Sequence, residues 1–141
     1  MTICLDTNVL LQLFGRRQPH LHIRRALFKG ELDLAVSTSI LLEYQEIVTR
    51  LNSPAAWTPA EGFLFSIHAA HGNLLLVDPR FNFNVIIADP DDNKFADCAI
   101  AAGADFIVTE DAHFDVLRQS GYRPQPITPA DFINQHLTKG N

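Results

Sequence analysis

The sequence predicts an α/β fold, a three-layer αβα sandwich around a mostly parallel central sheet. Three observations lead there. Short apolar runs of four to six residues recur along the chain, and helical stretches separate nearly all of them. Parallel neighbours need such crossovers, whereas antiparallel strands can close with tight turns. Finally, 141 residues with 47% hydrophobic content suffice for one buried core, so residues 1–141 are read as a single domain.

TICL (2–5) is the first strand. Val9, Leu10, Leu13 and Phe14 follow at helical spacing, with Gly15 as the expected C-cap. A second helix runs from about Pro19 to Phe28. LDLAVS (32–37) alternates as a strand, and Ser39 is the expected N-cap of a long helix to about Leu51. Thr58-Pro59 shows the cap-then-proline pattern that opens the next helix, which ends near His71-Gly72. NLLLV (73–77) reads as a buried strand. The segment up to Asp92 reads as loop with a short strand at VIIA (85–88). Helix NKFADCAIAAG, strand ADFIVT (104–109), helix DAHFDVLRQS, a short strand at PQPIT and a helix from Pro129 complete the order.

Composition excludes several classes. Charged residues make up 19%, and seven Gly and eight Pro are scattered, so neither disorder nor low complexity applies. No apolar run approaches the roughly 18–20 residues of a membrane span, and no leader pattern opens the chain. Cys4 and Cys98 lack C-x-x-C spacing and read as small buried hydrophobes in a reducing cytoplasm. A net charge of −5 argues against wrapping nucleic acid by positive charge alone. The charge is polarised, however. Arg16, Arg17, Arg24, Arg25 and Lys29 are five of the eleven basic residues, while eight of the sixteen acids lie between Asp89 and Asp115. Such polarisation suits a cation-binding centre beside an anion-binding surface, or two ordinary solvated faces.

In open α/β sheets, ligands sit outside the carboxyl ends of the strands, near a switch in strand order. Asp6 directly follows the first strand, and Asp111 follows ADFIVT by two residues. Around its helix, Glu43 borders the apolar stripe of Ile40, Leu41, Tyr44, Ile47, Val48 and Leu51, whereas Glu46 points nearly opposite. In the helix beginning near Asp92, Phe95, Cys98, Ala99 and Ala102 form the apolar side. Asp92 falls nearer that side, and Asp97 is expected to face away. Asp6, Asp92 and Asp111 also read as helix caps, and Glu43 as an exposed helix residue. Four carboxylates on one rim would raise one another's pKa unless a cation sat between them. An oxygen-only donor set suits Mg²⁺ or Mn²⁺.

LDTNVLL, the acid in SILLEYQEIV, DPDDNKFADCAIAAGADFIVTED and ITPADFI together resemble the PIN domain. The likeness is nearest to the bacterial branch of toxin components of toxin–antitoxin systems. It implies a metal-dependent ribonuclease hydrolysing RNA phosphodiester bonds, with Asp6, Glu43, Asp92 and Asp111 as the catalytic, Mg²⁺- or Mn²⁺-binding set. Asn8 and Thr109 match supporting polar positions. Ala88 stands where the branch often has Arg. An antitoxin protein, a homodimer and a cytoplasmic location are the implied context. The basic stretch Arg16, Arg17, Arg24, Arg25 and Lys29 is then a track for RNA phosphates, a solvated helix face or a seat for an acidic antitoxin segment.

Other features weigh less. The six histidines read as surface or packing residues, with His113 close in sequence to Asp111, and Phe81 and Phe83 read as core cover. A response-regulator receiver would want a Lys after its last strand, and ITPADF offers none. A phosphatase with an Asp nucleophile would want an acid at position 8, which is Asn. A catalytically weak RNA- or protein-binding module would have lost an acid, and all four are present.

Overall fold

The computed structural model describes residues 1–14, 20–86 and 89–137. Gly15, Arg16, Arg17, Pro19, Ala88 and the end of the VIIA stretch lie outside them. Among the described residues, five strands form one all-parallel sheet in the order β3-β2-β1-β4-β5. The strands are β1 (Thr2–Leu5), β2 (Asp33–Val36), β3 (Leu74–Leu76), β4 (Phe106–Val108) and β5 (Gln125–Ile127). Helices α1 (Thr7–Gln12), α2 (Leu21–Phe28), α3 (Thr38–Leu51), α4 (Pro54–His71), α5 (Asn93–Ala102) and α6 (Pro129–Phe132) lie between or after them. A 3₁₀ segment covers Ala112–Ser120 and a π turn Ile133–Leu137.

The layers follow from register. Cys4 pairs with Ile107 and Ile3 with Phe106, and directly opposed residues share a face while alternate ones do not. The Cys4 thiol reaches the Phe95 carbonyl of α5, so α5 covers the Cys4–Ile107 face. Phe106 packs edge-on to Phe132, 5.9 Å between ring centres, so α6 covers the other. There α2 meets both α4 and the Ile133–Leu137 turn. On the α5 side, Tyr44 of α3, Phe95 and Phe114 form an aromatic row. Cys4 and Cys98 are free and buried.

Several boundaries differ from the sequence expectations. Ser37, rather than Ser39, caps α3 by accepting the Ile40 N–H at 3.2 Å. Helix α4 opens at Pro54, and Pro59 lies inside it. The lost backbone bond at Pro59 is outweighed by burial of Ala60, Phe63, Leu64 and Ile67. Residues 85 and 86 form no strand. Leu51 is 62% exposed despite its place in the apolar stripe, because α3 ends there. Phe81 and Phe83 are exposed rather than covering the core, whose edge is filled instead by Ile86.

Candidate functional site at the carboxyl edge

The chain starts in the middle of the sheet, runs outward to β3, and returns to β4 beside β1. The connections leaving β1 and β4 therefore diverge, and a crevice opens between their carboxyl ends. Asp6 sits at its floor. Its backbone N–H continues the ladder by donating to the Val108 carbonyl at 3.1 Å, and its side chain is buried. The Thr109 hydroxyl donates to Asp6 Oδ2 at 2.8 Å and in turn accepts the Asp111 N–H at 2.9 Å. One threonine thus fixes both acids. Asp6 does not cap α1 with its side chain. Burial raises its pKa, aided by the Asp111 and Glu43 charges, against hydrogen bonds from Thr109 and the Thr7 N–H.

Glu43 reaches the rim from the second turn of α3. Tyr44 beside it donates to the Leu5 carbonyl at 2.5 Å, tying α3 to the end of β1. The Glu43 carboxylate accepts the Thr7 hydroxyl on one oxygen and Lys94 Nζ, at 2.7 Å, on the other. Glu46 faces solvent beside Arg50. Lys94, the only Lys or Arg of the acidic run, is therefore a tethered counter-charge. Its lone position in that run was the available sequence signal. Thr7 and Tyr44 gave none, because both look like ordinary helix residues.

Asp92 ends a 3₁₀ turn (Pro90–Asp92) and makes no side-chain cap bond to α5. Its pKa is pushed up to about 6, first by burial and then by the Asp89, Asp111 and Asp6 charges. Asp111 accepts the His113 N–H at 2.8 Å, capping the following 3₁₀ segment. The His113 ring lies between the acids, Nδ1 being 3.3 Å from Asp111 and 3.4 Å from Asp92. Donor atoms of Asp89, Asp92 and His113 lie within 4.8 Å of one another. His113 is exposed, as expected of a surface residue, and its ring also touches both acids.

Asp97 requires a correction. It is buried, not solvent-facing, because the loop after β3 folds over α5 and the Phe83 N–H donates to Asp97 Oδ1 at 3.0 Å. It lines a separate cleft, with Asp78 and Lys94. Asn8 is exposed and lines, with Asp6, Gln12 and Asp111, a cleft of about 460 Å³. Of the five basic residues, Arg24, Arg25 and Lys29 are among those described. Arg24 lies over the Phe14 and Phe63 rings, 5.1 and 5.7 Å from their centres. Arg25 is exposed, and Lys29 sits just before β2, toward the amino edge, opposite the acids. Arg16 and Arg17 lie outside the described residues.

The donors fit a hard divalent cation: carboxylates on one rim, two with pKa values raised by burial and by one another's charge, and oxygen-dominated chemistry. Fold and rim define a class, a parallel α/β protein with an acid-lined crevice at its switch point. The family model described as "PIN domain" matches residues 2–113, and the chain belongs to that family. The matched span includes Asp6, Glu43, Asp92, Asp111 and His113. The fold is also similar to the crystal structure of VapBC2 from Rickettsia felis bound to a DNA fragment from their promoter. That likeness has a TM-score of 0.57 at 16% identity, over 91% of this chain and 98% of that one. No curated protein matches significantly. Among the described residues, no helix is long and apolar enough to cross a membrane.

Proposed function

We propose that the chain is a metal-dependent endoribonuclease that hydrolyses RNA phosphodiester bonds, acting in the cytoplasm as the toxin of a toxin–antitoxin pair. The observation that carries this reading is the convergence of Asp6, Asp92, Asp111 and Glu43 on one rim, where among the described residues the fixed positive charge is the Lys94 ammonium bonded to Glu43. Asp6, Asp92 and Asp111 would hold Mg²⁺ or Mn²⁺. The ion would supply Lewis acidity at the phosphoryl oxygens and lower the pKa of an attacking water.

Everything else falls to the chain itself. Thr109 locks Asp6 and the Asp111 backbone in one geometry, so neither acid must reorganise during the reaction. Thr7 and Lys94 hold the Glu43 carboxylate oriented, ready to align water at the crevice. Arg25, and beyond the described residues Arg16 and Arg17, would draw in RNA backbone. The antitoxin half of the reading draws on the family and on the VapBC2 likeness, and a homodimer belongs to the same reading. Co-purification with the product of an adjacent small gene, and light scattering, test those two points.

The deciding experiment is cleavage of structured and unstructured RNA with Mn²⁺, with Mg²⁺ and with chelator. Asp6→Asn is expected to abolish metal-dependent cleavage while the circular dichroism spectrum is unchanged. Equal cleavage by the variant and the parent chain would reject the assignment.

A further inference from the structure

We propose that the Lys94 ammonium takes the place of a second metal ion at Glu43, so that the crevice holds one divalent cation on Asp6, Asp92 and Asp111 while Glu43 stays outside its shell. Resting on the metal-dependent ribonuclease reading, this fixes how many ions that reading needs. It departs from the fourfold ligand set that the resemblance implies, and the geometry around Glu43 is the reason.

Glu43 has both oxygens in use. Oε1 accepts Lys94 Nζ at 2.7 Å, and Oε2 accepts the Thr7 hydroxyl. An ammonium on a carboxylate at that distance makes a charge-assisted bond of the strong kind. Both side chains are largely covered, 27% exposed for Lys94 and 19% for Glu43, so salt screens the pair less than it would at the surface. A divalent ion on this carboxylate would stand against a fixed charge of its own sign. Lysine suits the part, because its ammonium is a compact point charge with three donors rather than a planar fork.

The pair is preset by the core beneath it. Tyr44 follows Glu43 and Phe95 follows Lys94, and these two buried rings meet at 6.4 Å between centres. Tyr44 is tied to the Leu5 carbonyl. Asn93, just before Lys94, both accepts from and donates to the Ile86 backbone, at 2.8 and 3.0 Å. Helices α3 and α5 are thus locked where the ion pair joins them. Lys94 also borders the cleft that contains Asp78, Asp91 and Asp97, yet its ammonium is on Glu43.

The other three acids differ. Among the described residues, no Lys or Arg pairs with Asp6, Asp92 or Asp111. Thr109 bonds Asp6, and His113 lies against the other two. An incoming cation therefore meets three carboxylates without a Lys or Arg partner and one that already has its own.

The test counts Mn²⁺ ions on the full chain, without RNA, from the loss of the free-ion electron paramagnetic resonance signal. One ion per chain is expected for the parent and for Glu43→Gln. Lys94→Met removes the ammonium but keeps an apolar stem, and it should bind two ions. Lys94→Met/Glu43→Gln should return to one. Melting curves recorded alongside show that each variant is folded, and Mn²⁺ should raise the melting temperature of Lys94→Met more than that of the parent. Two ions on the parent, loss of the single ion in Glu43→Gln, or a folded Lys94→Met that still binds one would each overturn the inference. Should Lys94→Met fail to fold, the counts on the parent and on Glu43→Gln still decide. RNA cleavage by a parent chain that binds two ions would leave the ribonuclease reading standing and sink the single-ion site. One bound ion without Mn²⁺-dependent cleavage would uphold the count and sink the ribonuclease reading.

Discussion

Asp105 and Asp92 are the same residue type at opposite edges of one sheet, and their protons behave oppositely. At the amino edge, Asp105 accepts the Thr2 N–H at 3.0 Å and the Arg123 guanidinium at 3.1 Å. Burial pushes its pKa up, but those partners outweigh it and the net shift is downward. At the carboxyl edge, Asp92 is pressed by burial and by Asp89, Asp111 and Asp6, against a hydrogen bond to His113, and its pKa stands at about 6. One edge spends its polar groups on closing the fold. The other keeps negative charge that the fold itself does not satisfy. A structural acid comes with its partner, and an acid kept for a ligand waits for one.

The sharpest break of this comparison is a pair of substitutions. Asp92→Ala should lower Mn²⁺-dependent cleavage by more than about 100-fold, since even outer partners of metal ligands cost about 10–100-fold. Asp97→Ala should keep turnover within a few-fold but lose about 1–3 kcal/mol of stability, because the Phe83 N–H then lacks its acceptor. Single-turnover rates and urea melts on both variants decide, and a reversed ranking would move the site to the second cleft.

A smaller effect concerns the missing positive charge. At pH 7.5, Mn²⁺ at about 100 times its dissociation constant should stabilise the chain by about 2.7 kcal/mol. Asp6→Asn should remove most of that gain in thermal melts. An equal metal response in the variant would mean that the ion binds elsewhere.

Without metal, pH should act on the two edges with opposite signs. The folded pKa of Asp92 lies above its unfolded value, so the folded chain holds the extra proton between about pH 4 and 6. Stability from this group is full below about pH 4 and falls as pH rises through 6, by about 1 kcal/mol once partial solvent exposure is allowed for. Asp92→Asn should flatten that decline in metal-free melts between pH 4.5 and 7.5. An unchanged slope would contradict the assignment.

Asp105 provides the smallest effect. Its lowered pKa adds stability above about pH 4 that is lost as pH falls through the folded value. Asp105→Asn should cost only a few tenths of a kcal/mol at pH 7, because the pair with Arg123 is solvent-exposed, and nothing at pH 2. Greater loss at acid pH than at neutral pH would contradict that sign.

Much of the fold was legible because parallel strands leave a strong mark: short apolar runs set apart by helical spacing. The positions of Asp6 and Asp111 followed from strand ends alone, and the position of Glu43 from its angle beside the apolar stripe. Asp97 misled because helical phase separates only the apolar side from the rest. It cannot know that the loop after β3 folds back over α5 and turns an outward residue into a buried one. The same loop misplaced Phe81 and Phe83, whose alternation reads equally as core or as surface. The closeness of His113 to Asp111 was legible from two residues' separation, but its contact with Asp92 was not, since the junction of two chain segments brings that ring between the acids.

Sequence by itself determined the five strands of the sheet and most of the helices between them, and that acids end at least two strands, because periodicity and chain neighbours are local properties. Only the tertiary structure decided the strand order that places β1 beside β4. It alone set the Lys94 bridge to Glu43, the burial of Asp97 and the opening of a second cleft next to the first. Each of these depends on which distant surfaces pack together, and packing is chosen by the whole core rather than by any one segment.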